Sequence, residues 1–268
     1  MEMSVSALSV LLLLTASLTG RKSSGQIFPL DMAYNSVDDR FDGCKKDMYQ
    51  LVATKYTEHE KQHTPGFSTA WTNALQSCTK GGLNVNQSAA IYLYTQDYSF
   101  NPQCSYKQFN KACQEGKAAY LKGDFQFYTL YYFLTEAVQA LKQRKCVTVY
   151  RRTKSTYNLV VPKQRIRFGS FASSSLTKNL FNYGKVSCFR IKTCFGAKLG
   201  KYSALQHEEE VLIPPYEVFL ITDINKKDLA RDMKCKVVYD LKSDGTKSAL
   251  NCKKIAVRSE DQQWSHLF

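Results

Sequence analysis

The sequence predicts an α+β protein in which helices come first and strands follow. Residues from about 45 to 143 carry the three- and four-residue hydrophobic spacing of helices. From Cys146 onward the chain changes to short runs rich in Val, Ile, Phe and Tyr, which favour strands. Because helices and strands do not alternate, we expect the strands to pair among themselves in antiparallel or mixed sheets.

The clearest predicted helix lies at the end of the N-terminal half. Its apolar side chains recur at helical spacing and line one face, which must be buried. They are Phe127, Leu130, Tyr131, Leu134, Val138 and Leu141. Residues 89–94 and 106–113 predict shorter helices.

Six short runs predict strands, at 147–150, 166–168, 186–191, 211–213, 218–221 and 236–239. Turn-forming residues separate them, namely Pro162, Gly184, Pro214 with Pro215, and Asp244 with Gly245. The last pair suits a hairpin turn. The sequence contains neither G-x-G-x-x-G nor G-x-x-x-x-G-K, which argues against Rossmann and P-loop nucleotide binding.

The first twenty residues predict a secretory signal peptide. An apolar run at 8–14 is followed by small residues at 16–20 and a polar stretch at 21–24, and the run is too short to span a bilayer. Cleavage is expected between residues 20 and 25. The alternative, a buried first helix, needs an amphipathic rhythm that is absent. The mature chain, 21–268, is expected to be one domain with a mainly helical part at about 26–143 and a strand-rich core at 144–258.

Nine cysteines fit an exported chain, because disulfides are the default use of cysteine outside the cell. No C-x-x-C occurs, so a zinc ribbon is disfavoured. The odd number leaves at least one thiol or an intermolecular bridge, and Cys104 and Cys113 are expected to form a local pair. Asn86 begins an Asn-Gln-Ser sequon, which predicts glycosylation. Residues 262–268 lack the apolar tail of a lipid-anchor signal, so the product is expected to be released.

Residues 59–63 read His-Glu-Lys-Gln-His and match the H-E-x-x-H zinc pattern. Thr64, Pro65 and Gly66 follow at once and should end the helix, whereas two zinc-binding imidazoles need a firmly held turn. The remaining histidines, His207 and His266, are distant in sequence. We therefore expect a charged, solvated helix end and no metal site.

Three short features of the strand-rich half point to one site. Arg151 ends the first strand run, a serine run occupies 173–175, and three glutamates occupy 208–210 directly before the run 211–213. Taken singly, each has an ordinary explanation: a solvated charge, a loop and a surface turn.

Together these features resemble the arginine-specific ecto-ADP-ribosyltransferases, that is, NAD(P)+–protein-arginine ADP-ribosyltransferases. That family's signature is an arginine on one strand, Ser-x-Ser on the next and Glu-x-Glu before a final strand. The stretches 167–176 and 208–219 match it at length, and 37–44 and 134–137 add further similarity. The resemblance implies a helical part packed on a mixed or antiparallel β-sandwich that binds NAD. It also implies an enzyme that moves ADP-ribose from NAD to a protein arginine and releases nicotinamide, without a metal.

The resemblance also implies residue roles. Glu210 would hold the nicotinamide ribose and stabilise its developing positive charge. Glu208 would meet the acceptor guanidinium, and in an extended segment both carboxylates would face the same way. Arg151 would clamp the NAD phosphates, and Ser173 would hold Glu210 in position.

The resemblance further implies that Tyr94 and Ser203 lie in the NAD site and that Tyr183, or alternatively Phe181, lies against the nicotinamide. The chain departs from the family at Arg152, usually glycine, and Ser170, often glutamine, and its segment between Ser175 and Tyr183 is short. A bulky cation at 152 is expected to tighten or obstruct NAD binding. The implied disulfides are Cys44–Cys252 and Cys146–Cys194.

Two other functions remain open at this point. Water as acceptor would make the chain an NAD glycohydrolase. Its net charge of +14, with basic clusters at 142–145, 151–152 and 163–165, also fits an inactive basic secreted protein that binds polyanions. Under the transferase reading the partners are NAD and arginine-bearing extracellular proteins. Weak attachment to anionic cell surfaces would accompany them, without specific nucleic-acid binding.

Overall fold

The computed structural model describes residues 27–96, 102–158 and 163–255. The predicted signal peptide at 1–20 lies outside these ranges. Within them no helix is both long enough and apolar enough to cross a bilayer. The α-helices are α1 (Lys45–Leu51), α2 (Thr57–His63), α3 (Phe67–Ser77), α4 (Val85–Thr95), α5 (Tyr106–Glu115), α6 (Lys117–Lys122), α7 (Tyr128–Leu141) and α8 (Asp228–Asp232). A π-helical segment, Val52–Tyr56, joins α1 to α2.

Most strands follow the helices, as the α+β prediction requires, although the first strand precedes α1 and α8 lies between the last two strands. They are β1 (Ile27–Phe28), β2 (Val147–Thr153), β3 (Thr156–Tyr157), β4 (Arg165–Ile166), β5 (Ala172–Ser175), β6 (Ser187–Thr193), β7 (Ala197–Lys198), β8 (Glu210–Ile213), β9 (Glu217–Asn225) and β10 (Val237–Thr246). β1 and β3 form a small parallel pair, and the others form one sheet in the order β4-β9-β10-β6-β2-β5-β8-β7. Only β10 and β6 pair in parallel within that sheet, so it is mixed and mostly antiparallel.

The large sheet is almost interrupted between β2 and β5. These strands pair only at Tyr150 and Ser175, whereas β2 and β6 pair along seven positions. Side chains from both halves of the sheet nevertheless share one buried core, among them Val149, Phe189, Val211 and Phe219. The two halves of the sheet therefore pack on one common core, and β2 and β5 diverge on either side of the Tyr150–Ser175 pair.

Helix α7 is the centre of the helical part, as its pattern predicts. Leu130, Tyr131, Leu134 and Val138 are at most 2% exposed, and only Leu141, in the last turn, is half-buried. The helix contacts α4, α2, the π-helical segment and β7. It therefore joins the helices to the strand-rich part.

The expected solvated helix end at 59–63 is wrong at Glu60. Its side chain is 1% exposed, and its carboxylate accepts the backbone N–H of Thr129 at 3.2 Å. That N–H belongs to the first turn of α7 and has no partner within the helix, so Glu60 caps α7 from another segment. Burial raises the pKa of Glu60 to about 8.

The two histidines of the same motif behave as expected for a solvated helix end. His59 and His63 are exposed and stack on one another with ring centroids 4.2 Å apart, and α2 ends at His63. Among the described residues, no three His, Cys, Asp or Glu side chains are grouped so as to hold a metal ion.

Asp244 and Gly245 form a bulge and not the predicted hairpin turn. Both lie inside β10, where the register with β9 shifts between Ser243 and Thr246 and Gly245 has φ +87°. A hairpin needs a returning strand, but the chain leaves the sheet after Thr246. The pair therefore bends an existing strand.

Three disulfides cross-link the chain: Cys44–Cys252, Cys146–Cys194 and Cys188–Cys235. The first two are the pairs implied by the family resemblance, and the third links β6 to the segment before β10. The expected Cys104–Cys113 pair is wrong, because both residues are buried thiols. Nearly the whole of α5 separates them, which places their backbones more than about 10 Å apart, beyond disulfide reach.

The predicted glycosylation site lies in the first turn of α4. Asn84 caps this helix, and its side chain and that of Gln87 bond each other's backbone N–H groups at 2.9 and 3.1 Å. Asn86 itself is half-buried. Glycosylation at Asn86 stays a prediction.

A buried ion pair fixes the segment before α1 against residues that follow β4 and β10. Asp38 and Arg167 are 2.5 Å apart with side chains 1% exposed, and Asp38 also accepts the N–H groups of Ala249 and Leu250 at 2.9 Å.

Asp38→Ala should lower the free energy of unfolding by about 3–5 kcal/mol, because it leaves a buried guanidinium unpaired. Urea denaturation measures this. Asp42→Ala is the matched control: its half-exposed carboxylate pairs with Arg40, so a loss below about 1 kcal/mol is expected. Equal losses in the two variants would contradict this role.

Candidate active site

The sequence-predicted stretches converge on one cavity of about 430 Å³, which is lined by the adjoining parts of β2 and β5. Residues of α4, α5, β2, β5 and the segments around 177–183 and 205–210 line it. Of the predicted site residues, six contribute to its wall: Tyr94, Arg151, Ser173, Tyr183, Glu208 and Glu210. Ser203 and Phe181 are not among its lining residues.

Glu210 is the buried carboxylate of the cavity. It begins β8 and is 6% exposed, and the Ser203 hydroxyl lies 3.5 Å from its Oε2. Burial raises its pKa to about 7, and the charge of Glu208 acts in the same direction. Hydrogen bonds from Ser173 and Ser203, together with the charge of Arg151, act in the opposite direction. Near neutral pH this buried carboxyl can therefore be ionised.

Arg151 lies on β2 where β2 meets β5. Its Nη1 donates to the backbone oxygen of Ser173 at 2.6 Å, which links the two strands beyond their single register pair. Its Nε is buried and makes no hydrogen bond within the described part of the chain. The guanidinium is therefore fixed through Nη1 and keeps an unused donor at Nε. Such a group is suited to binding an anion in the cavity, such as a phosphate.

Glu208 reaches the cavity by a different backbone path from the expected extended one. It ends a 3₁₀ turn, Gln206–Glu208, and Glu209 takes a left-handed conformation with φ +47° before β8 begins. Glu208 and Glu210 still both line the cavity while Glu209 is exposed. The expected outcome of the Glu-x-Glu spacing holds, but the extended segment proposed as its cause is wrong.

Ser175 is a contributor that sequence reasoning missed. Its hydroxyl donates to the backbone oxygen of Glu208 at 2.6 Å. The backbone N–H of the next residue, Leu176, donates to the backbone oxygen of Glu209 at 3.2 Å. Both bonds hold the left-handed turn, which a non-glycine residue adopts at a cost of about 1 kcal/mol. The serine run itself was the available signal, since a hydroxyl at a strand end is suited to bonding a neighbouring backbone.

Tyr183 and Phe181 lie on one 3₁₀ turn, Phe181–Tyr183, but face different surroundings. Tyr183 lines the cavity, is 45% exposed, and donates its hydroxyl to the Glu208 carboxylate. The Phe181 ring is instead surrounded by cations, with the Arg152 guanidinium 4.7 Å from its centroid. Of the two alternatives, Tyr183 is the aromatic residue at the cavity.

Tyr94 shapes the cavity floor from α4. It is 2% exposed, donates its hydroxyl to the backbone oxygen of Phe171 at 3.0 Å, and accepts from Asn110 at 3.1 Å. Burial raises its pKa to about 12, so it stays protonated. Asn110, from α5, is a second lining residue that the sequence did not single out.

The two departures from the family pattern have ordinary structural explanations. Arg152 lines the cavity, and its three nitrogens donate to the backbone oxygens of Gly184, Lys178 and Met233 at 3.0, 2.7 and 2.8 Å. Its donors are therefore used to hold the segment 178–184 against β2. Its effect on NAD binding stays a prediction. Ser170 does not line the cavity and lies 3.4 Å from the side-chain amide of Gln114.

Comparison with known proteins agrees with this geometry. The chain is 31% identical over 249 residues to NAD(P)(+)--arginine ADP-ribosyltransferase 2 of Gallus gallus, covering 88% of this chain and 75% of that protein. It is 34% identical to T-cell ecto-ADP-ribosyltransferase 1 of Mus musculus, covering 72% and 68%. The crystal structure of a mutant of the eukaryotic mono-ADP-ribosyltransferase ART2.2 in complex with NAD superimposes with a TM-score of 0.65 at 29% identity, covering 84% of this chain and 98% of that one.

A family model confirms what these similarities suggest. The model for NAD:arginine ADP-ribosyltransferases matches residues 30–243, a range that contains every lining residue of the cavity. The chain therefore belongs to the NAD:arginine ADP-ribosyltransferase family.

Proposed function

We propose that this chain transfers ADP-ribose from NAD to arginine side chains of proteins and releases nicotinamide. One observation carries the proposal: two glutamates, Glu208 and Glu210, line a single cavity together with Arg151 and Ser173. The second glutamate supplies charge for breaking the glycosidic bond, and the first supplies a carboxylate for an incoming guanidinium. Family membership supports the same reading.

NAD binding is assigned to the cation and the polar groups of the cavity. The Arg151 guanidinium clamps the phosphates, because its fork of donors matches phosphate oxygens and its buried Nε has no partner from the described chain. Tyr94 forms the floor, and the Tyr183 ring stacks against nicotinamide. Ser173 and Ser203 hydrogen-bond Glu210 and hold it below the ribose.

Bond cleavage depends on Glu210. As the bond between the ribose and nicotinamide lengthens, positive charge develops on the ribose and the electron pair of the bond leaves with nicotinamide. The Glu210 carboxylate stabilises that charge, and burial strengthens its effect because little water screens it. An arginine nitrogen then attacks the ribose carbon, and its proton is lost as the new bond forms. Glu208 orients the guanidinium and favours that proton loss.

Activity should rise with pH through about 7. Ionised Glu210 is the active form, and its pKa is raised to about 7 in the free protein, so acidification protonates it and removes the stabilising charge. The measurement is kcat/KM for NAD, followed as nicotinamide release without acceptor between pH 5 and 9. A profile that is flat between pH 5 and 8 would show that Glu210 does not titrate in the expected range.

Export and an extracellular acceptor are part of the proposal. The predicted signal peptide at 1–20, the three disulfides and the sequon at Asn86 support passage through the secretory route. One of the relatives is named an ecto-ADP-ribosyltransferase. We place the catalytic domain in the mature chain, 21–268, and expect its acceptors to be arginine-bearing extracellular proteins.

The direct test is incubation of the purified protein with labelled NAD and agmatine, an arginine analogue. Nicotinamide and an ADP-ribosyl-agmatine adduct should form together. Nicotinamide without adduct would identify an NAD glycohydrolase. The absence of both products, combined with polyanion binding that weakens steeply with salt, would identify an inactive basic binding protein.

A further inference from the structure

Tyr183 is the side chain that meets the Glu208 carboxylate. Its hydroxyl donates to Glu208 Oε1, while the Glu208 backbone oxygen accepts from Ser175. Glu208 is therefore fixed at two places, the peptide and the carboxylate. An ionised carboxylate has about four acceptor positions, so one bond to Tyr183 leaves the second oxygen and further lone pairs for an incoming guanidinium.

The turn that carries Tyr183 is held in place from β2. Arg152 donates to the backbone oxygens of Lys178 and Gly184, on either side of the turn, and stacks on Phe181 within it. Gly184 has φ +135°, and a Cβ there would lie 2.2 Å from the backbone oxygen of Thr153. The turn therefore packs so closely on β2 that the residue after Tyr183 must be glycine.

These contacts form a continuous connection across the cavity. Arg151 and Arg152 are neighbours on β2, so the strand that clamps the donor nucleotide also fixes the turn that carries Tyr183. Tyr183 in turn contacts Glu208. We propose that Tyr183 is a positioning residue that orients the Glu208 carboxylate toward the acceptor guanidinium, so that its hydroxyl favours transfer to arginine over transfer to water. This inference rests on the proposed transferase function.

The physical reason lies in how a guanidinium binds a carboxylate. Two parallel N–H···O bonds form only when both groups lie in one plane. A donor fixed to one carboxylate oxygen restricts rotation of the group before the acceptor arrives, which lowers the entropic cost of binding it. The hydroxyl thus acts on the acceptor, whereas stacking on nicotinamide requires only the ring.

Tyr183→Phe separates the two contributions, because it removes the hydroxyl and keeps the ring. The KM for agmatine should rise about threefold to tenfold relative to the KM for NAD, because the Glu208 carboxylate must then be ordered when the acceptor binds. The ratio of adduct to released nicotinamide should fall correspondingly. Tyr183→Ala, which also removes the ring, should raise the KM for NAD as well. Tyr49→Phe is the matched control: it has similar exposure, 43% against 45%, lies in the helical part and should leave both constants unchanged.

Two outcomes would overturn the inference. If Tyr183→Phe raised both KM values by the same factor, or left the product ratio equal to that of the wild type, the hydroxyl would have no role in acceptor choice. Failure of the proposed function itself would appear earlier, as wild-type protein that forms no adduct at any agmatine concentration. Thermal unfolding of each variant shows that the comparison is between folded proteins.

Discussion

Glu210→Gln should lower the kcat for nicotinamide release and the kcat for arginine transfer together, each by about a hundredfold to a thousandfold. The substitution keeps the size and polarity of the side chain and removes only its negative charge. Because both reactions pass through the same cationic ribose, both should fall by the same factor. Nicotinamide release, measured with and without agmatine, tests this. Glu209→Gln is the matched control, since Glu209 is exposed and does not line the cavity.

The same variant should be more stable than the wild type at high pH. The pKa of Glu210 is raised from 4.5 to about 7 in the folded protein, so ionisation opposes folding. Below about pH 4.5 the group is protonated in both states and has no effect; the penalty grows between pH 4.5 and 7. Above pH 7 it reaches about 3 kcal/mol, which Glu210→Gln should recover. Denaturant unfolding at pH 4 and pH 8 measures the difference. A variant that is less stable at pH 8 would mean that the carboxylate stabilises the fold instead.

Glu208→Gln should remove arginine transfer while reducing NAD hydrolysis far less. The amide still accepts a hydrogen bond from Tyr183, so the local geometry is kept. It carries no charge, however, and can neither pair with the guanidinium nor favour its proton loss. We expect the rate of adduct formation at a fixed agmatine concentration to fall about a hundredfold or more, which corresponds to about 3 kcal/mol of lost transition-state stabilisation.

Adduct formation by Glu208→Gln must be compared with the nicotinamide that the same variant releases. If the two products fell in parallel, Glu208 would act on the donor and not on the acceptor. If adduct formation persisted unchanged, the account of acceptor choice would be wrong. Glu209→Gln again serves as the neighbouring control.

The fold class and the location of the site could be predicted because both depend on local patterns. The hydrophobic spacing of α7 determines which face is buried, and the Arg, Ser and Glu motifs remain recognisable at fixed spacing. Glu208 and Glu210 fall into this group, since they reach the same cavity even though the left-handed Glu209 replaces the expected extended path.

Features that depend on distant partners could not be predicted. Nothing near Glu60 in sequence indicates that it caps α7, because its partner Thr129 is 69 residues away. Arg152 lies beside the phosphate clamp as the sequence indicates, but the backbone oxygens that bind it come from two separate segments that its sequence position does not reveal. The pairing of Cys188 with Cys235 likewise requires knowing that β6 and β10 are adjacent.

The most direct test of the account is a titration of the wild-type protein with agmatine at saturating NAD, in which adduct and nicotinamide are counted in the same reaction. If the cavity is an arginine ADP-ribosyltransferase site, the number of adducts per nicotinamide should rise from zero and approach one as agmatine saturates Glu208. A ratio that stays near zero at every agmatine concentration, while nicotinamide is still released, would contradict the account and show that water is the acceptor.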